Sequence, residues 1–297
     1  MNFLWLNSRV KLSDGLLFWR EIGTGSSCIV FLHGTSFDSS QWLLIMEELS
    51  LNYHCFAPDL PGFNKSKFSS KYNSISEMVE SLAEYIAALK LERIYLVGES
   101  LGAWIAVSYA LRYSDKLLGL ILVSPEGVDI PEVKARWQFF GWLSLRLFLL
   151  RFILGLIYRF YRLLRLKRKA KRLLQVREKL LLCMGGNKVL FWRRWLGIKV
   201  ELLGESLNDL RLSTLILQGD KDQEISLAMS KCYADLLPMA KLDLVDSGED
   251  NLPEQMPDMV VQKILDFLQQ EEGKRKKEEG RGKREEGRGV EDESIDN

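Results

Sequence analysis

Histidine is almost missing from this chain, whose 297 residues hold 2, His33 and His54. Cysteine is nearly as scarce, and Cys28, Cys55, Cys183 and Cys232 show no CxxC spacing. Metal ligands this sparse and scattered give no reason to expect a metal site, and no nucleotide loop is visible, so no cofactor is expected. A disulfide framework is also unexpected, and reduced thiols suit a cytoplasmic protein. The N-terminus, MNFLWLNSRVKLSDG, lacks a basic segment followed by a long apolar stretch and does not read as a signal peptide.

Net charge is nearly absent too, with 41 Lys+Arg against 40 Asp+Glu, but the balance conceals a segregation. Pro131 to Val200 holds 18 basic and 2 acidic residues, a net of +16, while Glu271 to Asn297 holds 8 and 10. The rest of the chain keeps 15 and 28, a net of −13. An acidic body thus carries a basic insert, and the insert says more about partners than the average does.

The length suffices for one large core, or a core with an inserted lid. Strands are expected at Leu16–Glu21, Cys28–Leu32, Tyr53–Ala57, Arg93–Val97 and Leu117–Val123. Asp38 is placed to cap a helix running to Leu49, with Gln41 completing a capping box, and Ser74 with Glu77 opens another. After Pro125 the alternation stops, and it resumes with strands at Leu212–Leu217 and Lys241–Val245 and a closing helix from Pro257 to Gln269. Apolar strands alternating with helices predict an α/β fold, a mostly parallel sheet flanked by helices on both faces. Residues 1–125 and 206–270 form that core, residues 126–205 an inserted helical cap, and 271–297 a tail. The tail repeats EEGKRKK, EEGRGKR and EEGRGVE with no apolar position shared by the units, so it is expected to be disordered and not a coiled coil.

Chemistry concentrates at Gly98-Glu99-Ser100-Leu101-Gly102. A strand feeds this string and a helix leaves it, which forces Ser100 onto a tight turn at the sheet's end. Gly98 and Gly102 let strand and helix approach, and the Leu101 N–H lies at a helix N-terminus, where a developing negative charge is stabilised. Two earlier strands end in His33-Gly34-Thr35 and Asp59-Leu60-Pro61-Gly62-Phe63. Taken together, these three motifs in this order resemble the α/β-hydrolase family, in its serine-nucleophile branch. The resemblance covers residues 1–125 and 210–270. It implies that the Thr35 N–H is a second oxyanion donor beside Leu101, that His33 shapes this loop instead of acting as base, and that Asp222 is the acid. Asp220 reads as a turn residue.

The family's histidine should follow the last strand, and Glu249 stands there in DSGEDNLPE. A carboxylate near pKa 4.3 is a poor acceptor for a serine proton, whereas imidazole near 6.5 accepts and returns it. Burial beside Asp222 would lift Glu249 toward usefulness. Hydrolysis of an apolar ester or related acyl compound by Ser100 is therefore expected to be impaired. The alternative is a non-catalytic member that binds a hydrophobic ligand or a membrane through its cap.

The cap segment RWQFFGWLSLRLFLLRFILGLIYRFYRLLRLKRKAKRLLQ places Arg151, Arg162, Arg165, Lys169 and Arg172 on one helical arc. It reads either as a lid with its apolar face over the site and its arginines in water, or as a membrane-surface helix within residues 136–175 drawn to anionic lipid on the inner membrane face. Arg146 and Arg151 interrupt the apolar run and argue against a span. The interleaved side chains are mostly aliphatic, so no nucleic acid is expected.

Overall fold

The computed structural model describes residues 4–68, 74–163, 166, 169 and 195–293. Of the residues singled out above, Arg165, Arg172 and Cys183 lie outside these, as do the side chains of Arg151 and Arg162.

The strands are β1 (Leu6–Leu12), β2 (Gly15–Ile22), β3 (Cys28–Leu32), β4 (His54–Pro58), β5 (Lys67–Phe68), β6 (Ile94–Glu99), β7 (Leu117–Val123), β8 (Thr214–Gly219) and β9 (Ala240–Val245). They form one sheet ordered β1-β2-β4-β3-β6-β7-β8-β9, with β5 beside β2. From β4 to β9 every pairing is parallel, while β2 pairs antiparallel with β1, β4 and β5. β3, β4, β6, β7 and β8 are buried on both faces, as their near-continuous apolar sequences require, while β9 at the sheet's edge is mostly half-buried or exposed. Along β3, Val30 and Leu32 face one apolar cluster while Ile29 and Phe31 face the other. β6 divides likewise, Leu96 to the first and Tyr95 with Val97 to the second. This period of two turns a plain run of hydrophobes into two cores.

The helices are α1 (Leu43–Leu49), α2 (Ile75–Ala88), α3 (Leu101–Tyr113), α4 (Val133–Leu163), α5 (Trp195–Lys199), α6 (Glu224–Leu236), α7 (Leu252–Gln255) and α8 (Pro257–Glu293). Side chains of α2, α3 and α6 build the first cluster, and those of α1 and α8 the second. The Ser74–Glu77 capping box is present at the start of α2. The one expected at Asp38 is not. Asp38 caps a single 3-10 turn, Ser39–Trp42, through the Ser40 N–H, and the Gln41 side chain turns instead toward Gly34.

Two strands escaped the sequence reading. β1 is an edge strand whose side chains are mostly exposed, so its pattern carries little hydrophobic signal, and β5 is only 2 residues long. The closing helix also differs from expectation. It does not stop at Gln269 before a disordered tail but continues to Glu293. The repeat is rich in the helix formers Glu, Lys and Arg, and its first unit is tied down. Lys274 Nζ lies 2.7 Å from Glu271 Oε1, and Glu272 bonds the Tyr53 hydroxyl beneath the sheet.

The insert leaves and re-enters at one place. Val128 pairs with Leu203, the Leu203 N–H donates to Gly127 O at 2.7 Å, and Trp104 Nε1 donates to Glu201 O at 3.2 Å. The two ends of the insert are thereby fastened to α3, the helix that Ser100 precedes.

Candidate active site

Ser100 occupies φ 51°, ψ −110°, between the last residue of β6 and the first of α3. For a residue with a Cβ this backbone costs about 1–3 kcal/mol and persists only where the surroundings impose it. Here they do. The Ser100 N–H donates to Val123 O of β7 at 3.0 Å, and the Ser100 carbonyl accepts from Trp104 N at 3.2 Å. A Cβ on Gly98 would overlap the Gly102 carbonyl, and one on Gly102 would overlap the Leu32 carbonyl. Strand, turn and helix therefore close only with glycine at both places. The Ser100 side chain is half-buried and its hydroxyl has no hydrogen-bond partner among the described residues.

Leu101 opens α3, so its N–H has no carbonyl one turn back to bind. The facing loop is rigid. His33 is fully buried, with Nδ1 donating to Gly34 O at 2.9 Å and Nε2 accepting from the Leu60 N–H at 2.9 Å. Those partners assign the proton to Nδ1, and burial holds the ring below the ordinary histidine range, as neutral imidazole. Both ring nitrogens are spent on backbone, and none is left for Ser100. Gly34 N–H donates to Gln41 Oε1 at 3.1 Å, whereas the Thr35 N–H has no partner among the described residues.

Asp222 and Glu249 follow β8 and β9, at the same end of the sheet as Ser100. No hydrogen bond joins any two of these three among the described residues. Asp222 Oδ2 accepts from Gln218 Nε2 at 2.8 Å and Oδ1 from the Gln223 N–H at 2.6 Å. Gln218 is in turn held by Ser230 Oγ at 2.6 Å. Glu249 is exposed, and its Oε2 accepts from Gln255 Nε2 at 3.3 Å. The burial expected of it beside Asp222 is therefore not there. Asp220 stands in a turn, its N–H donating to Val245 O at 3.1 Å, but its Oδ1 is buried without a hydrogen-bond partner instead of bonding its own backbone.

The buried carboxyl at this site is Glu99, which the sequence reading passed over. It is 4% exposed, and Oε2 has no hydrogen-bond partner. It lies so close to the loop after β3 that a Cβ on Gly34 would overlap Oε2. Burial, then repulsion from Glu126, pushes its carboxyl well above the usual carboxylate range, with Asp250 and Asp222 adding to the effect. A hydrogen bond from Gln41 works the other way. Gln41 thus touches Gly34, Glu99 and, through Nε2, Asn251 Oδ1 at 3.4 Å. It links the loop after β3 to the loop after β9. The signal for Glu99 was in the alternation, because it follows Tyr95 and Val97 on a face that is otherwise apolar.

A family model described as alpha/beta hydrolase fold matches residues 28–162. The fold is that of the α/β-hydrolase family. Superposition agrees: a thermophilic esterase from Thermogutta terrifontis aligns with TM-score 0.68 at 23% identity over 89% of this chain and 99% of its own. A serine hydrolase from Cycloclasticus zankles aligns with TM-score 0.70 at 19% identity, covering 89% and 97%. Among curated proteins, this α/β-hydrolase-fold chain is 33% identical over 126 residues to 1-acylglycerol-3-phosphate O-acyltransferase ABHD5 of Rattus norvegicus, a stretch covering 40% of this chain. It is 36% identical over 122 residues to the pimeloyl-(acyl-carrier protein) methyl ester esterase of Wigglesworthia glossinidia brevipalpis, covering 39% of this chain. The chain spans only 36% and 45% of the lengths of these two relatives.

Proposed function

We propose that this α/β-hydrolase-fold protein carries out ester or related acyl hydrolysis on a small apolar substrate, with Ser100 as nucleophile, and does so slowly for want of an imidazole. The observation that carries this reading is the strained backbone of Ser100 at the end of β6, φ 51°. Strain of this kind is a net cost to folding and serves to present a hydroxyl at a helix N-terminus. The N–H groups of Leu101 and Thr35 would hold the oxyanion, and the cap would supply the apolar acyl pocket. An acyltransferase and an esterase among the relatives agree with acyl chemistry. What is missing is a base. Loss of one triad member in a serine hydrolase lowers turnover by about 10⁴–10⁶ and leaves the contribution of the oxyanion hole.

A non-catalytic, ligand-binding reading draws on a different observation. Both Asp222 oxygens are occupied within their own strand and helix, and Glu249 is turned to Gln255. The two readings part on hydrolysis of p-nitrophenyl butyrate by wild type and Ser100→Ala. The enzyme reading expects slow turnover that Ser100→Ala abolishes. Equal rates in the two proteins, or none above background, would remove it.

A further inference from the structure

The outer face of α4 is apolar. Leu149, Leu150, Phe152, Ile153, Leu156 and Phe160 all stand exposed, Phe152 at 68% and Phe160 at 57%. At about 100° per residue, five of them (Leu149, Phe152, Ile153, Leu156, Phe160) share an arc of about 100°. Arg146 borders that arc on one side and Arg159 on the other, both exposed. The inner face is half-buried and carries Leu154, Ile157, Tyr158 and Tyr161. A lid with its apolar face over the site would hide these side chains, which here face outward.

We propose that α4 lies in the plane of an anionic lipid bilayer. The stripe Leu149/Phe152/Ile153/Leu156/Phe160 enters the acyl boundary, and Arg146 and Arg159 at its borders reach lipid phosphates. Three observations select this occupant. No helix among the described residues is long and apolar enough to cross a membrane, so an exposed apolar face on α4 calls for an interface and not a span. The insert holds 18 basic against 2 acidic residues, so a second copy seated here would set two like-charged surfaces together, whereas an anionic surface is complementary. The remaining body, with 15 basic and 28 acidic residues outside the insert and the tail, is repelled by the same surface. The protein is therefore oriented, cap toward the bilayer and body away. The docking does not depend on the hydrolase reading. If that reading holds, the acyl substrate reaches Ser100 from the membrane side, because the cap is fastened to α3 through Trp104 and Glu201.

Sedimentation of the full chain with vesicles tests this. Phosphatidylcholine vesicles containing phosphatidylserine should carry the wild type down, more weakly as salt is raised, and pure phosphatidylcholine far less well. The triple variant Phe152→Glu, Ile153→Glu, Phe160→Glu should bind roughly tenfold or more weakly while keeping its circular dichroism. Arg146→Glu with Arg159→Glu should lose most of the preference for the anionic lipid. Ser100→Ala should bind as wild type does, which separates this result from any failure of the esterase assay. Binding by the triple variant equal to wild type would overturn the proposal, as would no binding by wild type. A wild-type dimer that the triple variant dissolves, without lipid binding, would assign the stripe to self-association instead.

Discussion

Glu99 sits next to Ser100 with one carboxyl oxygen unpartnered and the other bonded by Gln41, against the loop that bears Thr35. A carboxyl raised by burial binds its proton more tightly folded than unfolded. Its contribution to stability is thus fully present below its unfolded value, about 4.3, and is lost as pH rises through the folded value. Glu99→Gln removes that dependence. Urea unfolding of the two proteins should show the variant gaining on wild type as pH rises from about 4 to 8, where ionisation of a buried carboxyl costs most. Parallel curves would mean that Glu99 is solvated in solution. At this scale the sequence made Ser100, His33, Gly98 and Gly102 legible, because motif spacing alone fixes what a strand-to-helix turn needs. It located Glu249 in the right loop but not its direction, since an exposed side chain is steered by a neighbour such as Gln255 and not by the pattern. Gln41 was misassigned for a related reason. Its spacing from Asp38 suits a capping box, but the backbone N–H of Gly34 offers its Oε1 a donor across the loop.

Gly127 controls how the cap joins the core. It adopts φ +101°, and a Cβ there would fall inside the Trp104 ring. Its carbonyl accepts from Leu203 N as the chain returns, so one residue fixes the exit and the re-entry. Gly127→Ala should lower stability by about 2 kcal/mol, from the left-handed backbone and the displaced indole together. Chemical denaturation followed by tryptophan fluorescence would register it, and an unchanged midpoint would mean that the cap is not seated on Trp104. Among the elements, the parallel strands and α1, α2, α3 and α6 could be read from the sequence because each has an apolar face to bury. β1 is largely exposed, and the extension of α8 rests on Glu272 reaching Tyr53, a long-range contact without periodicity. Removing residues 278–297 should leave the melting temperature unchanged. Removing 271–297 should lower stability by roughly 1–3 kcal/mol, since the Tyr53 hydroxyl then loses its partner. Equal melting temperatures for the two truncations would show that Glu272 does not anchor the helix.

As a whole, the molecule combines a complete sheet with an incomplete site. The topology brings Ser100, Asp222 and Glu249 to one end of β6, β8 and β9, and the loop after β3 is pinned by His33 and Gln41. On the proposed hydrolase reading the site lacks a proton carrier, a deficit visible in the sequence from the count of 2 histidines. Its consequence was not visible there, because that depends on which carboxyls the fold buries. The fold buries Glu99 and leaves Glu249 in water. Esterase activity of Glu249→His tests the account most directly, measured on p-nitrophenyl butyrate from pH 5 to 9 beside wild type and the double variant with Ser100→Ala. If the site lacks only its base, Glu249→His should exceed wild type by at least about tenfold, rise with pH through about 6.5, and lose the gain when Ser100 is removed. No gain over wild type, or a gain that survives Ser100→Ala, would contradict it.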